Sequence, residues 1–422
     1  LLIKESAQTT ALADLIGNKM AVLRGQGGSG KTLMMLQAAH KLYQEKASRV
    51  LVLTYNHTLA ADIRRLLSLL GISSNPFEGG IVIKTVMSFM YSWFRFLGLL
   101  DTEQDLSYEN YSELCLECAE LINGGALSET EIIRALEDDP ESYAFSYILV
   151  DEAQDWPEQE AMLLKSLYDP KNVCLADGVD QLVRGNRTSW LDHMLKDEYE
   201  VIFLDKCLRM KRNISAFIKE VAAKSNVTWE MKLNDKAAGG RVLVLENSYT
   251  ENLALHERLI SSAKADGNSE VDFLFCVPPS AVFEKNSVTT SSISNFLKDS
   301  GIDCWDGVDP KIRKDFPRRK DQFRIVQYDS CRGLEGWTVV LEHIDDFWEF
   351  PECRRAVRDY MKKYNQNFQS WAVIEKPSYV PENSKSSFTL KSAVHVFNLT
   401  EKEGREIKNT HRIEAAWWKK DC

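Results

Sequence analysis

Short apolar runs alternate with longer amphipathic stretches along the first half of the chain. The amphipathic stretches place apolar residues three or four positions apart and predict helices at Glu5–Ile16, Lys31–Glu45 and His57–Leu70. The apolar runs predict strands at Met20–Leu23, Arg49–Thr54, Ile81–Lys84, Tyr147–Val150 and Asn172–Ala176. Buried strands separated by helices are typical of a parallel sheet with helices on both faces.

A second alternation of the same kind begins near Arg241. It predicts two helices and four strands: helices Asn252–Lys264 and Ser291–Asp299, and strands Arg241–Leu245, Asp272–Val277, Phe323–Tyr328 and Thr338–Glu342. We therefore predict an α/β protein with two parallel-sheet domains in tandem, residues 1–205 and 206–422. Residues 88–146 have a helical, aromatic-rich pattern and are interpreted as a helical insertion into the first domain. Residues 377–392 are rich in Ser and Pro and are predicted to form a loop.

Composition limits the classes of protein that remain. A length of 422 residues suggests two or three domains, and a hydrophobic fraction of 44 % provides for a sizeable core. The net charge of −10 argues against coating nucleic acid by bulk charge, although a local basic track is compatible with it. No apolar run is long enough to span a membrane, so we expect a cytoplasmic protein with no membrane partner. Because the chain begins at Leu1, without Met, we suspect an excerpt of a longer polypeptide or one with missing stretches.

Nine cysteines are scattered along the chain. Cys115 and Cys118 form the only close pair, and no second pair sits near it to complete a four-ligand metal site. Reduced thiols are therefore expected.

The segment Gly25–Thr32 carries the strongest chemical signal. It reads Gly-Gln-Gly-Gly-Ser-Gly-Lys-Thr and lies between a predicted strand and a predicted helix, as a phosphate-binding loop requires. Its small residues, Gly25, Gly27, Gly28, Ser29 and Gly30, would let backbone N–H groups surround phosphate oxygens. Lys31 supplies a charge for the β- and γ-phosphates, and Thr32 a hydroxyl for magnesium. A chance Gly-rich turn is the alternative, but the order of strand, loop and helix argues against it. We predict that the chain binds and hydrolyses ATP with Mg²⁺.

A pair of acids ends the strand that begins at Tyr147. Asp151 and Glu152 would lie at the carboxyl edge of a parallel sheet, where ligands bind. Asp151 would hold the magnesium ion, and Glu152 would accept a proton from the attacking water. A solvated strand end is the alternative interpretation.

The phosphate loop and the sequence Asp-Glu-Ala-Gln-Asp together resemble the superfamily 1 helicases, the UvrD/Rep-like branch in particular. Further segments resemble the motifs of that family in the same order, from residue 8 to about residue 342. The resemblance implies that Gln8 reads adenine, Gln181 senses the γ-phosphate and Arg209 reaches it from the second domain. It also implies that Glu335 contacts the ribose. The residues implied to contact nucleic acid are Thr54, Asn56, Thr85 and Ser330.

The resemblance implies a fold of two RecA-like domains and an ATP-dependent helicase or translocase. Its expected partner is single-stranded or partly duplex DNA, with RNA not excluded, and its expected polarity is 3′→5′. A role in bacterial DNA repair or antiviral defence is compatible with this family.

Several departures from the family pattern leave a second function open. We find no final Thr-Arg-Ala segment, no aromatic residue soon after Gln181 and no large insertion in the second domain. Leu208 replaces an adenine-stacking tyrosine, and Asp329 replaces a histidine. This compact variant could instead be an ATP-operated regulatory subunit that controls a partner nuclease or effector without unwinding.

Two basic stretches could contact nucleic-acid phosphates, or could simply be solvated faces. Lys311–Arg324 holds seven basic residues and two acidic ones, and Arg354–Lys363 contributes basic residues to a predicted helix. The aromatic stripe Tyr91–Phe96 is interpreted as core of the insertion in preference to a platform for bases.

Overall fold

The chain divides into two compact units, Leu1–Leu208 and Arg209–Cys422. The computed structural model describes residues 6–69, 72, 80–100, 110–126, 128–178, 188–224, 231–234, 237, 239–244, 248–285, 287–317, 319–331, 333–343 and 394–397. The loop predicted at 377–392 and the basic stretch Arg354–Lys363 lie outside these residues. The predicted domain boundary between residues 205 and 206, the insertion at 88–146 and the lack of a large second-domain insertion stay predictions.

The first unit contains a sheet and the helices that cover it. Its strands are β1 (Met20–Gly25), β2 (Val50–Thr54), β3 (Ile81–Thr85), β4 (Tyr147–Val150), β5 (Val173–Gly178), β6 (Tyr199–Leu204) and the two-residue β7 (Lys206–Cys207). Its helices are α1 (Ala7–Leu15), α2 (Lys31–Lys46), α3 (His57–Leu69), α4 (Val86–Phe96), α5 (Tyr111–Asn123), α6 (Glu129–Asp138), α7 (Pro140–Tyr143) and α8 (Glu158–Leu167). Helix α1 begins at Ala7 because the Ser6 hydroxyl caps it, accepting the Thr9 backbone N–H at 3.1 Å.

The first sheet has the strand order β3-β2-β4-β5-β1-β6, and all of its neighbouring strands are parallel. The predicted α/β class is confirmed here. Strand β6 was not predicted, because it is an edge strand in which Glu200 and Phe203 remain exposed. The parallel arrangement brings the carboxyl ends of β1, β2, β4 and β5 to one edge.

The aromatic stripe of α4 packs into the core of the first unit. Tyr91, Trp93 and Phe94 are buried, and the ring centroids of Trp93 and Tyr143 are 4.6 Å apart. Burial of large rings contributes to stability through the area that they remove from water. The interpretation of this stripe as core is confirmed for the first unit as a whole, with the exposed Phe96 as the exception, whereas its assignment to an insertion stays a prediction.

The second unit also contains a six-stranded sheet. The strands of this unit, six of which form that sheet, are β8 (Lys232–Leu233), β9 (Arg241–Val244), β10 (Phe273–Val277), β11 (Val282–Lys285), β12 (Val288–Ser291), β13 (Cys304–Asp306), β14 (Phe323–Gln327), β15 (Thr338–Leu341) and β16 (Val394–Phe397). Its helices are α9 (Arg212–Lys224), α10 (Leu253–Ala265) and α11 (Ser292–Asp299).

The second sheet has the order β13-β14-β10-β15-β16-β9. Strands β13, β14, β10 and β15 are parallel, as the fold class predicts, whereas β16 runs antiparallel to both β15 and β9. Strand β16 was not predicted, and neither were β13 and the β11–β12 hairpin. The hairpin strands read Val-Phe-Glu-Lys and Val-Thr-Thr-Ser, and β13 is only three residues long, so none of them shows a long apolar run or a regular alternation.

Candidate functional site

The phosphate-loop segment turns tightly between β1 and α2. Gly25 is the last residue of β1, and α2 begins at Lys31. Gly28 and Gly30 have φ values of 74° and 90°, which residues other than glycine rarely adopt. A Cβ atom on Gly25 would lie 2.4 Å from the Leu204 carbonyl oxygen. The loop therefore needs glycine at these positions for reasons of backbone geometry.

The Lys31 side chain closes this loop from within. Its ammonium donates hydrogen bonds to the carbonyl oxygens of Gly25 at 2.8 Å and Gln26 at 3.0 Å, and the residue is only 7 % exposed. The Ser29 hydroxyl also donates to the Gln26 carbonyl, at 2.8 Å. A cation and the amino end of a helix are thereby held together, which is the arrangement that binds phosphate.

Thr32 and Asp151 meet at the carboxyl edge of the first sheet. The Thr32 hydroxyl donates to both carboxylate oxygens of Asp151, at 3.1 and 3.2 Å. Burial, and then the charge of Glu152, raise the pKa of Asp151 to about 7. A hydroxyl and a carboxylate are ligands that Mg²⁺ accepts alongside phosphate oxygens. This donor set fits the predicted magnesium site.

Glu152 occupies a strained backbone conformation beside that pair. Its φ of 52° lies in the left-handed region, where residues other than glycine are uncommon and often functional. Its carboxylate accepts a hydrogen bond from the Gln154 side-chain amide at 2.7 Å. The strained turn and the amide together fix the direction of a buried acid.

Gln154 links Glu152 to the neighbouring strand. Besides donating to Glu152, it accepts the Gly178 backbone N–H at 2.6 Å, and it is fully buried. A Cβ atom on Gly178 would lie 2.7 Å from the Gln154 amide nitrogen. Gln154 was not predicted as a site residue, although it lies within the acidic segment, three positions after Asp151.

The ion pair of Arg24 and Asp177 was not predicted either. They are aligned on the neighbouring strands β1 and β5, and the Arg24 Nε atom lies 2.7 Å from a carboxylate oxygen of Asp177. This ion pair joins the strand that leads into the phosphate loop to the strand that leads towards Gln181. Gln181 itself lies outside the residues that the structure describes.

Polar side chains also gather where β2 and β3 end. Thr54 and Thr85 are aligned partners on these strands, and both are buried. Among the described residues, three polar atoms here lack a hydrogen-bond partner: Thr54 Oγ1, Asn56 Nδ2 and Thr58 Oγ1. Asn56 Oδ1, by contrast, accepts the Leu59 N–H at 2.7 Å, and Thr85 caps α4. The predicted residues Thr54, Asn56 and Thr85 thus lie at adjacent strand ends.

Gln8 is exposed on α1, next to Thr9, whose hydroxyl donates to the Gln37 side chain at 3.0 Å. The bond between Thr9 and Gln37 fixes α1 against α2, the helix that begins at the phosphate loop.

Arg209 and Glu335 form an ion pair within the second unit. Arg209 also donates to the Leu334 carbonyl at 3.5 Å, and Arg324 donates to the Glu335 carbonyl at 2.5 Å. Ser330 ends a short turn after β14. The structure therefore brings together two of the residues implied to act in the second domain.

Within the described ranges, no group of three or more His, Cys, Asp or Glu side chains is arranged to hold a metal ion. In that same part of the chain, no helix is both long and apolar enough to cross a membrane. Cys115 and Cys118 are buried thiols on α5.

A comparison with models of protein families matches residues 4–246, more than half of the chain, to the AAA domain. The chain belongs to the AAA-domain family. The AAA domain implies an enzyme that hydrolyses a nucleoside triphosphate, and the match covers the phosphate loop and the acidic strand end.

Solved structures similar to this AAA-domain chain include two helicases. Pif1 helicase from Candida albicans is 15 % identical with a TM-score of 0.33, covering 54 % of this chain and 45 % of its own. The PRRSV helicase is 14 % identical with a TM-score of 0.28, covering 77 % and 55 %. AMPPCP-bound DnaA from Aquifex aeolicus is 11 % identical with a TM-score of 0.24, covering 53 % and 51 %.

The AAA-domain chain thus spans about half the length of each of these structures. A sequence comparison with curated proteins found no match. These likenesses are too distant to assign a substrate.

Proposed function

We propose that this chain is an ATP-dependent motor of the superfamily 1 helicase type, similar to the UvrD/Rep-like branch. It would couple ATP hydrolysis to 3′→5′ movement on single-stranded DNA. The observation that carries this proposal is the bond between Thr32 and Asp151, which joins the phosphate loop to the acidic strand end. A phosphate loop and a strand-end acid so joined are the two halves of an NTP-hydrolysing site.

In this proposal each site residue of the first unit has one role. The loop N–H groups and Lys31 bind the phosphates, while Thr32 and Asp151 hold the magnesium ion. Bound there, that ion would neutralise charge on the phosphate oxygens. Glu152, oriented by Gln154, accepts the proton of the attacking water.

The remaining roles in nucleotide turnover rest on the family resemblance. Gln8 reads adenine, Gln181 senses the γ-phosphate, Arg209 stabilises charge that develops on it and Glu335 contacts the ribose.

Nucleic acid is proposed as the partner of the polar strand ends. A buried polar atom without a partner costs about 1–3 kcal/mol, so Thr54, Asn56 and Thr58 gain from a ligand rich in donors and acceptors. A sugar–phosphate backbone is such a ligand. Thr85 and Ser330 complete the proposed contacts.

The test measures ATP turnover with and without single-stranded DNA, and with RNA in parallel. A motor shows turnover stimulated many-fold by the strand, and it displaces the annealed strand from a duplex with a 3′ tail but not from one with a 5′ tail. The variant Lys31→Ala is the control for contaminating activity. Turnover that DNA leaves unchanged, together with no displacement, would contradict the motor.

That outcome would favour the second candidate, an ATP-operated regulatory subunit that controls a partner nuclease or effector without unwinding. Leu208 supports this candidate, because it is exposed where the family resemblance expects a tyrosine that stacks on adenine. A lower affinity for ATP is more compatible with a regulatory switch than with a fast motor.

A further inference from the structure

Two cysteines of the second unit lie at the same edge of its sheet. Cys276 is the fourth residue of β10, next to Val326 of the parallel strand β14. Cys331 follows the end of β14 by four residues, after the turn Tyr328–Ser330. Because the carboxyl ends of parallel strands meet at one edge, the topology brings the two thiols together although 55 positions separate them in sequence.

The Cys331 side chain lies close enough to Cys276 to have the largest influence on the pKa of the Cys276 thiol. Cys276 is 1 % exposed, whereas Cys331 is partly exposed. The hydrogen bond with Cys331, and then burial, raise the pKa of Cys276 well above its usual range, and the nearby Arg324 opposes this shift. The pair therefore combines one thiol that solvent reaches with a second, protonated thiol that solvent does not reach.

The other buried thiols have different neighbours. Cys304 shares a hydrogen bond with the Ser294 hydroxyl, at 3.4 Å, and Cys115 is hydrogen bonded to Tyr111. Among the cysteines that the structure describes, Cys276 and Cys331 stand out as two thiols from separate parts of the chain that lie close together.

We propose that Cys276 and Cys331 are a reversible disulfide pair that responds to peroxide. The Cys331 thiolate attacks the O–O bond of hydrogen peroxide, forming a sulfenic acid and releasing hydroxide, which takes up the thiol proton to give water. Cys276 then attacks the sulfenic sulfur, the S–S bond forms, and the hydroxyl leaves as a second water with the Cys276 proton. Both thiols are oxidised and one peroxide is reduced. A dithiol such as dithiothreitol reverses the reaction by exchange.

The disulfide would fix Cys331, which follows the turn Tyr328–Ser330, to the central strand β10 of the second sheet. The Leu334 N–H donates to the Cys331 carbonyl at 3.0 Å, so Cys331 and Glu335 belong to one short connected turn. Glu335 in turn pairs with Arg209. Oxidation would thereby restrain both residues and slow turnover. This regulatory consequence rests on the proposed function, whereas the disulfide itself does not.

Peptide mapping of the full chain after peroxide treatment and alkylation tests the pair. We expect one disulfide, Cys276–Cys331, with the loss of two free thiols out of nine and full recovery in dithiothreitol. The variant Cys331→Ser should form no disulfide. Cys276→Ser should accumulate a sulfenic acid on Cys331 that dimedone traps, because the second thiol is gone. Cys304→Ser is the matched control and should keep the disulfide.

Disulfides between other cysteines, or a Cys276→Ser variant that traps no more dimedone than the unmodified chain, would overturn the pair. Turnover is measured on the same samples. Oxidation should lower it by about one to two orders of magnitude in the unmodified chain and leave it unchanged in Cys276→Ser. Unchanged turnover despite a mapped disulfide would overturn the regulatory role. If the reduced chain hydrolyses no ATP, the proposed function fails, while the peptide map still decides the pair.

Discussion

The amide of Gln154 offers the sharpest test of how the acidic strand end works. Replacing Gln154 with Met keeps the length of the side chain but removes both hydrogen bonds, to Glu152 and from the Gly178 N–H. The lost bond to a charged group is worth about 1.5–3 kcal/mol, and the unpaired buried N–H costs about 1–3 kcal/mol. The free energy of unfolding should therefore fall by a few kcal/mol.

The effect on turnover follows from orientation. Without the amide, the Glu152 carboxylate loses the contact that orients it, while the phosphate loop keeps the hydrogen bonds of Lys31 and Thr32. We expect kcat for ATP hydrolysis to fall about 10- to 100-fold, or about 1.4–2.7 kcal/mol in barrier height, with KM for ATP almost unchanged.

A matched control separates this effect from general destabilisation. Thr290→Val in the second unit also removes one buried hydrogen bond to a carboxylate, from Thr290 Oγ1 to Asp306 at 3.1 Å. Urea unfolding and steady-state turnover are measured for both variants. The control should lose stability but keep kcat. A Gln154→Met variant with normal kcat, or equal losses of kcat in both variants, would refute the assignment of Gln154 as a positioning residue.

Four further predictions address the remaining groups. Lys31→Ala should abolish nucleotide binding in a fluorescent-ATP titration, because the loop loses its buried cation, and tight binding there would contradict its role. Glu152→Gln should bind ATP normally but lose turnover in a single-turnover assay, and normal hydrolysis would exclude Glu152 as the base. Arg209→Ala should bind ATP almost normally yet hydrolyse it more slowly, and an unchanged rate would remove Arg209 from the site. Burial lowers the pKa of His256 from 6.5 to about 4, so the folded chain resists a proton that the unfolded chain accepts. The free energy of unfolding is therefore unaffected by His256 above pH 6.5. It falls by about 3 kcal/mol as the pH is lowered from 6.5 to about 4. In His256→Phe the urea midpoint of unfolding should depend less on pH over that window, and an unchanged pH dependence would contradict this reasoning.

Local patterns made the phosphate loop and its acidic partner predictable. The run Gly25–Thr32 specifies its own turn, because its glycines serve backbone geometry and its Lys and Thr open the helix. Strand ends such as Asp151 could be placed because parallel strands share one carboxyl edge. Each of these signals spans only a few neighbouring residues.

Features that depend on tertiary pairing could not be predicted in this way. The ion pair of Arg24 with Asp177 joins residues 153 positions apart, and Gln154 reaches Gly178 on a neighbouring strand. Strand β16 was also missed, because His395 interrupts its apolar residues and it pairs with strands far from it in sequence. Which partner each of these residues takes depends on the assembled sheet.

The left-handed backbone at Glu152 has a consequence for how the sequence can change. Glycine or asparagine would occupy that conformation with less strain, so conformational stability alone would favour replacing the acid. The hydrogen bond from Gln154 and, in the proposed function, the role of the carboxylate as a base are what reward keeping Glu152 there. A descendant of this chain that no longer needed catalysis would therefore be expected to lose this glutamate early, while the glycines of the phosphate loop, which the fold itself requires, persist.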